Sequence, residues 1–257
     1  MKLTGKTILI TGANRGIGRA MAEALAQHPV NLLLGMRKLS EFKPIRGGKA
    51  LSVKPIKMEL STKQTIEQSL KAAGTDLQEL DILINNAGLF VAGPLEKQDI
   101  DKMYDMYQVN LVGTSHLTAR LLPVIKKRQG KIVNNTSIAG YVYLPGDSTY
   151  SGTKAGLVGF SESLRRELSG TGTTVLHLVT PLIDTAMMDQ VQDSFTQSGS
   201  KAKLSGLPAD VWAKKMVKAI QKDKTVLNPG GSSMFSKILS RGPYQLLDFV
   251  SNQLFKK

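Results

Sequence analysis

The chain has 257 residues, no cysteine and three histidines, which excludes disulfides, thiolate metal sites and cysteine nucleophiles and leaves a zinc site little to draw on. Hydrophobic residues make up 41% and charged residues 21%, the composition of a globular chain long enough to bury one large α/β core. A net charge of +14 implies attraction to phosphate on a cofactor, a nucleic acid or an acidic membrane, or else a solvated basic surface.

Met1-Lys2-Leu3-Thr4-Gly5-Lys6 runs straight into an apolar stretch without a signal-peptide pattern, which predicts a cytosolic protein. Lys6-Thr7-Ile8-Leu9-Ile10-Thr11 predicts a short strand, and Gly12-Ala13-Asn14-Arg15-Gly16-Ile17-Gly18 turns it into a helix carrying Ile17, Met21, Leu25 and Ala26. Glycine lets backbone approach a pyrophosphate, and a helix N-terminus offers free N–H groups and a positive dipole. Strand, turn and helix together therefore predict dinucleotide binding over a plain tight turn. Pro29 ends that helix, and Val30-Asn31-Leu32-Leu33-Leu34-Gly35 predicts the second strand. Its tip carries Met36-Arg37-Lys38 where an acidic residue would hold a ribose 2′-hydroxyl. Arg15 and Arg37 are placed to flank a 2′-phosphate, which favours NADP(H); the alternative is that Arg37 and Lys38 merely solvate a strand end.

Ala50 to Met58 predicts a third strand, weakened at Pro55, and Glu59 follows it. Ser61 predicts the cap of a helix through Ile66 and Leu70, and Leu80-Asp81-Ile82-Leu83-Ile84-Asn85 the fourth strand, ending in Asn85-Asn86-Ala87-Gly88. This alternation predicts an α/β fold, a single doubly wound Rossmann domain over residues 1–257, with a parallel sheet of about seven strands and helices on both faces. One long helical pattern runs from about Ile100 to Lys127 with Asn110 in its middle, where a kink holding a water or plain exposure would account for an asparagine. His116 has no second ligand nearby, and His177 falls in the predicted sixth strand, Thr174 to Val179; both are expected to be packing residues.

Between the fifth strand and the next helix lie groups suited to carbonyl chemistry. Lys131-Ile132-Val133-Asn134-Asn135-Thr136-Ser137 predicts a buried strand ending at Ser137. After a turn-rich loop containing Pro145-Gly146-Asp147, Tyr150-Ser151-Gly152-Thr153-Lys154 opens a helical pattern through Leu157, Phe160, Leu164 and Leu168. Lys154 then lies one turn from Tyr150, and an ammonium beside a phenol lowers a pKa that starts at about 10. Tyr150 is thereby predicted to exchange a proton with a carbonyl oxygen that Ser137 also hydrogen-bonds. An ordinary amphipathic Tyr–Lys pair is the competing reading.

Thr11-Gly12-x-x-x-Gly16-x-Gly18, Asn85-Asn86-Ala87-Gly88, Asn110, Ser137 and Tyr150-x-x-x-Lys154, in that order, resemble the short-chain dehydrogenase/reductase family in its single-domain, NADP(H)-preferring branch, over about Lys6 to Thr185. The resemblance implies Tyr150 as general acid/base and Ser137 as positioner of the substrate oxygen. Lys154 would bind the nicotinamide ribose and lower the tyrosine pKa, and Asn110 would hold a water in a proton relay. It further implies cofactor contacts from Gly12, Asn14, Arg15, Gly16, Ile17 and Gly18, from Arg37, and from Glu59 and Leu60. Asn86, Ala87 and Gly88, the pair Tyr150 and Lys154, and finally Pro181, Ile183 and Thr185 complete the set. Two departures stand out: Glu59 replaces the usual aspartate near the adenine, and Pro181-Leu182-Ile183-Asp184-Thr185 lacks the glycine usual after the proline.

Ala186 to Gly206, polar and Met-bearing, is expected to be a mobile loop over the substrate, and Pro208 to open a helix through Val211, Trp212, Met216, Val217 and Ile220. After a last strand at Lys224 to Asn228, residues 232–257 form an apolar tail in two segments, Met234 to Leu239 and Tyr244 to Val250, with Leu247, Val250 and Leu254 at helical spacing. Neither reaches the roughly 20 apolar residues of a membrane span. The tail either covers the protein's own core or dimer seam, or lies on an acidic membrane or roofs the pocket, which would favour a hydrophobic carbonyl such as a steroid, retinoid or long acyl chain. The expected protein is a homodimeric, NADP(H)-dependent oxidoreductase interconverting a ketone or aldehyde and an alcohol. A noncatalytic NADP(H)-binding regulator of the same fold is the alternative; a nucleic-acid binder would need a module or an aromatic-rich basic face that the chain lacks.

Overall fold

The structure is a computed structural model that describes residues 1–200 and 203–239. Seven parallel strands form the central sheet: β1 (Thr7–Thr11), β2 (Asn31–Met36), β3 (Ser52–Lys57), β4 (Leu80–Asn85), β5 (Lys131–Asn135), β6 (Thr174–Leu178) and, after a separate two-strand ladder of β7 (Ile183–Asp184) with β8 (Leu207–Pro208), β9 (Val226–Leu227). Their order is β3-β2-β1-β4-β5-β6-β9, so the chain reverses direction across the sheet between β1 and β4. Parallel strands buried on both faces are largely apolar, as in Ile82-Leu83-Ile84 of β4, a strand buried at every position. Successive side chains point to opposite faces, and this divides the core. Ile8, Ile10, Leu32, Leu34, Ile82 and Ile84 pack with α1 (Gly16–Leu25) and α7 (Ala209–Gln221) on one side. Leu9, Leu33, Leu83 and Ile132 meet α2 (Lys63–Ala73), α4 (Thr114–Lys127) and α5 (Ser148–Glu167) on the other. The doubly wound, Rossmann-like architecture is the expected one.

Several local expectations are corrected. Pro55 sits inside β3, opposite Leu34, and is tolerated because β3 is the outermost strand, whose far edge needs no N–H. The α2 cap is Thr62, not Ser61: Thr62 accepts from the Thr65 N–H while the Thr65 side chain accepts from the Thr62 N–H. The long helix is broken into α3 (Ile100–Tyr107), a π-helical turn (Gln108–Gly113) and α4, with Asn110 in the π turn. Residues 186–206 are not a loop throughout, since α6 (Ala186–Gln197) occupies their first half between β7 and β8. The first tail segment lies in α8 (Gly231–Leu239), where Lys237 is buried with its ammonium 4.2 Å from the Tyr141 ring centre. The second segment and the tail's end lie outside the described residues. Among the described residues, no helix is long and apolar enough to cross a membrane.

Candidate active site

In an open parallel sheet the crevice for a ligand lies at the carboxyl ends of the strands where the order reverses, here between β1 and β4. Both ends are shaped for close approach. Gly12 has φ +66°, and a Cβ there would meet the Ala87 Cα at 2.9 Å. A Cβ on Gly18 would lie 2.2 Å from the Gly12 carbonyl oxygen and 2.4 Å from the Asn86 amide nitrogen. Thr11 locks the two ends together, its Oγ1 accepting from the N–H groups of Asn86 (2.9 Å) and Ala87 (3.0 Å), while Asn86 Nδ2 donates back to the Thr11 carbonyl at 2.9 Å. The α1 N-terminus has no side-chain cap, which leaves its first N–H groups for an anion. These features fit a dinucleotide pyrophosphate.

The remaining cofactor-side residues are brought toward the same edge with different degrees of freedom. Arg15 and Arg37 are both exposed, and among the described residues neither is engaged in an ion pair. Asn14 Nδ2 donates to Glu41 Oε2 at 2.5 Å, which places beyond the β2 tip a carboxylate that the sequence reading missed. Glu59 is held by Ser61, whose hydroxyl donates to Oε1 at 3.1 Å. Leu60 is buried, its carbonyl accepting from Gln108 Nε2 at 3.2 Å. Thr185 sits at the N-cap position of α6 without a side-chain capping bond, and its methyl group would lie 3.7 Å from a Cβ on Gly16, so the start of α6 faces the glycine turn. Ile183 is buried in the core on the α1 side, which leaves only its backbone free for a ligand; Pro181 and Ile17 are half-buried.

At the β5 end the chemistry-bearing groups converge. Ser137 precedes a short 3-10 turn (Ile138–Gly140), its Oγ accepting from the Ala139 N–H at 3.1 Å, and its side chain hydrogen-bonds Tyr150 on the first turn of α5. Phe90, in the loop after β4, stands edge-on to the Tyr150 ring with centroids 4.8 Å apart. Lys154 is buried, its ammonium 5.7 Å from the Tyr150 ring centre and donating to the Asn135 carbonyl at 3.0 Å. Asn135 is a second residue absent from the sequence reading. Its side chain continues a polar ladder across the strand ends, donating to Asn86 Oδ1 at 3.0 Å and accepting from Thr180 at 2.5 Å. Asn110 is fully buried and its amide is committed to protein: Oδ1 accepts from the Leu89 N–H at 2.7 Å, and Nδ2 donates to the Leu89 carbonyl at 2.9 Å and to Thr153 at 3.2 Å. It therefore shapes the loop after Gly88.

The electrostatics correct the expected effect of Lys154 on Tyr150. Burial raises the phenol pKa above its ordinary value, the nearby Asp147 raises it further, and the hydrogen bond from Ser137 only partly offsets them. Burial also lowers Lys154 to about 8 and raises Asp147 to about 7. His177, lowered to about 4 by burial, is a packed neutral residue bonded to the Tyr141 hydroxyl at 3.0 Å, and His116 pairs with Glu67. A concavity of about 490 Å³ between α6 and Leu204 includes none of Ser137, Tyr150 or Lys154.

Comparison with known proteins places this geometry. The sequence pattern of the family described as short chain dehydrogenase matches residues 6–195. The chain is 34% identical over 198 residues to the 3-oxoacyl-(acyl-carrier-protein) reductase FabG of Haemophilus influenzae, covering 74% of this chain and 79% of that protein. It is 31% identical over 253 residues to the ketoacyl reductase HetN of a Nostoc species, covering 93% and 85%. A crystal structure of a short chain dehydrogenase from Burkholderia cenocepacia in complex with NADP superposes with a TM-score of 0.83 over 98% of this chain and 99% of that one; at 23% identity it speaks for the fold. The chain thus belongs to the short-chain dehydrogenase/reductase family and is an oxidoreductase of that family.

Proposed function

We propose that this enzyme interconverts a ketone or aldehyde and an alcohol with NADP(H), using Tyr150 as general acid/base. The observation that carries the reading is the convergence of Ser137, Tyr150 and Lys154 on one end of β5, facing a glycine turn that fits a pyrophosphate. NADP(H), when bound, supplies or accepts the hydride. The protein's part is orientation and proton management. Tyr150 gives its phenolic proton to the developing alkoxide oxygen, and Ser137 hydrogen-bonds that oxygen and fixes its position. Lys154, anchored by the Asn135 carbonyl, would hold the nicotinamide ribose hydroxyls. Arg15 and Arg37, exposed and without acidic partners among the described residues, receive the 2′-phosphate.

The substrate is a hydrophobic carbonyl. Phe90 against Tyr150, together with the exposed Tyr143 bonded to the Gly140 carbonyl, supplies apolar surface near the reacting end, and the similar proteins named as 3-oxoacyl and ketoacyl reductases support 3-oxoacyl groups as the first class to test. One catalytic domain spans 1–257, working in the cytoplasm as a two-fold dimer. The exposed Ile100, Tyr104 and Val112 of α3 and the π turn support such an interface. The deciding experiment follows NADPH absorbance with carbonyl compounds graded by chain length and polarity, among them 3-oxo esters. Turnover that rises with chain length supports the reading. Absence of turnover across the panel, with NADPH bound, would return the chain to the noncatalytic alternative.

A further inference from the structure

We propose that Asn135 is a positioning residue that fixes the spacing between the pyrophosphate cradle and the proton-transfer groups: its side-chain amide ties Asn86, just past β4, to the strand end that anchors Lys154 and leads into Ser137. It rests on the carbonyl-reducing activity proposed for Ser137, Tyr150 and Lys154.

A parallel strand enclosed on both faces ordinarily carries apolar side chains, so an asparagine that is 7% exposed at the last position of β5 must find partners. Side chains alternate along a strand, which sets Asn135 on the same face as Val133, the side of α1 and the glycine turn. Its hydrogen bonds have only one workable direction. The Asn86 amide nitrogen faces two carbonyls, those of Thr11 at 2.9 Å and Gly12 at 3.3 Å, so its Oδ1 is the atom that faces Asn135. An acceptor there requires Asn135 Nδ2, at 3.0 Å, and leaves Asn135 Oδ1 to accept from the Thr180 hydroxyl at 2.5 Å. The result is one directed chain from the end of β6 to the glycine turn: Thr180 donates to Asn135, Asn135 to Asn86, and Asn86 to the Thr11 and Gly12 carbonyls.

This chain takes over where backbone pairing stops. β1 and β4 last pair at Ile10 and Ile84, and β4 and β5 at Asn85 and Asn134. Asn86 is also a wall of the cradle, since a Cβ on Gly18 would lie 2.4 Å from its Nδ2. On the other side, the Asn135 carbonyl accepts from Lys154 Nζ at 3.0 Å, and the Thr180 carbonyl accepts from the N–H of Ile138, the neighbour of Ser137, at 2.9 Å. β6 has a second tie, because Thr136 donates to the Leu178 carbonyl at 2.6 Å. β4 and β5 have a second tie on the opposite face, where Asn85 bonds Asn134 and the pair reach Thr118 on α4 and Ser161 on α5. Loss of the Asn135 amide therefore leaves the sheet joined while it frees Asn86 Oδ1 on the crevice face.

The test compares wild type with Asn135→Leu, which is close in size and removes both side-chain bonds, with Thr180→Val, which removes only the hydroxyl, and with the double variant. Thermal melts establish that each is folded. In calorimetry without substrate, the Kd of NADPH should rise about three- to tenfold in Asn135→Leu, the worth of one hydrogen bond, and stay within about twofold in Thr180→Val, whose strand Thr136 still holds. The double variant should match Asn135→Leu, because a chain already broken loses nothing further. At saturating NADPH, kcat for ethyl acetoacetate reduction should fall about tenfold in Asn135→Leu, well beyond any rise in KM for the ester, because alignment of cofactor with proton donor is what is lost. A purely structural asparagine would lower the melting temperature and leave Kd and kcat unchanged. That result, or additive effects in the double variant, would overturn the proposal. Asn135→Ser, too short to reach Asn86, carries the same expectations if the leucine variant does not fold. A wild type that binds NADPH but leaves the ester unreduced would count against the enzymatic reading, with the Kd comparison still deciding the tie.

Discussion

Gly18→Ala isolates the cofactor cradle, because the substitution is favourable in every respect but one. Gly18 lies in the first turn of α1 with ordinary helical backbone, where alanine is preferred over glycine by about 1 kcal/mol. Against this, the added Cβ would sit 2.2 Å from the Gly12 carbonyl oxygen and 2.4 Å from Asn86 Nδ2. Neither neighbour is a free side-chain end: Gly12 is in the turn, and Asn86 is held by the Thr11 and Gly12 carbonyls and by Asn135. Overpacking of this kind costs about 1–3 kcal/mol, so the net effect is a destabilisation of roughly 0–2 kcal/mol, or a few degrees in melting temperature. Relief requires the β1 and β4 ends to separate, which spoils the anion cradle. NADPH affinity should therefore fall at least about tenfold, equivalent to about 1.4 kcal/mol. Gly16→Ala is the control, since its nearest contact, Thr185, lies at an ordinary 3.7 Å and only the backbone conformation, φ +53°, is strained. Calorimetric NADPH titration alongside thermal melts measures both terms. A Gly18→Ala protein that binds NADPH like the wild type would refute the assignment of the cradle.

Tyr150→Phe should lower turnover by about 10²- to 10⁴-fold while leaving NADPH binding in calorimetry nearly intact; retention of more than a few per cent of activity would displace it as the proton donor. Arg37→Asp should weaken NADPH and improve NADH, read as the ratio of kcat/KM for the two cofactors, because it places an acid where the 2′-phosphate is proposed to bind; an unchanged ratio would argue against the site. For stability, Asp147 is raised from 3.8 to about 7, so ionising it opposes folding, and the wild type should lose stability as pH rises between about 4 and 7. Asp147→Asn should remove that loss, giving a gain of at most about 4 kcal/mol above pH 7 and none near pH 4 in urea titrations; equal pH dependence in both proteins would contradict it. Light scattering at micromolar concentration should report a dimer, and Tyr104→Glu at the exposed face of α3 should shift it toward monomer.

The order of strands and helices was legible because buried parallel strands carry short apolar runs bounded by turn residues, as Ile8-Leu9-Ile10, Leu32-Leu33-Leu34 and Ile82-Leu83-Ile84 do in β1, β2 and β4. The glycine turn was legible because the close approaches at Gly12 and Gly18 admit no side chain. The π turn was not, since six residues of altered pitch leave the apolar pattern on either side unchanged. α6 was missed because its strongly buried positions are only Ser194 and Phe195, too few to outweigh a polar composition, although Met188, Val191 and Phe195 do recur at helical spacing. Glu41 beside Asn14, and Asn135 beneath Lys154, depend on contacts 27 and 19 residues apart in the chain that no local pattern records.

The sharpest divergence lies at Tyr150. Spacing along α5 rightly placed Lys154 one turn away, and from spacing alone the ammonium should dominate the phenol. Enclosure changes the balance, because desolvation penalises every charge at once: it pushes the phenol up, draws the lysine down to about 8, and leaves Asp147 near 7. Asp147 is separated from Tyr150 by only two residues, yet its influence comes from burial beneath the end of α6 and the loop at Gly93, elements about 50 residues away in either direction. The tyrosine proposed as proton donor can thus be located by its neighbours in sequence, whereas its proton affinity depends on what the fold closes over it.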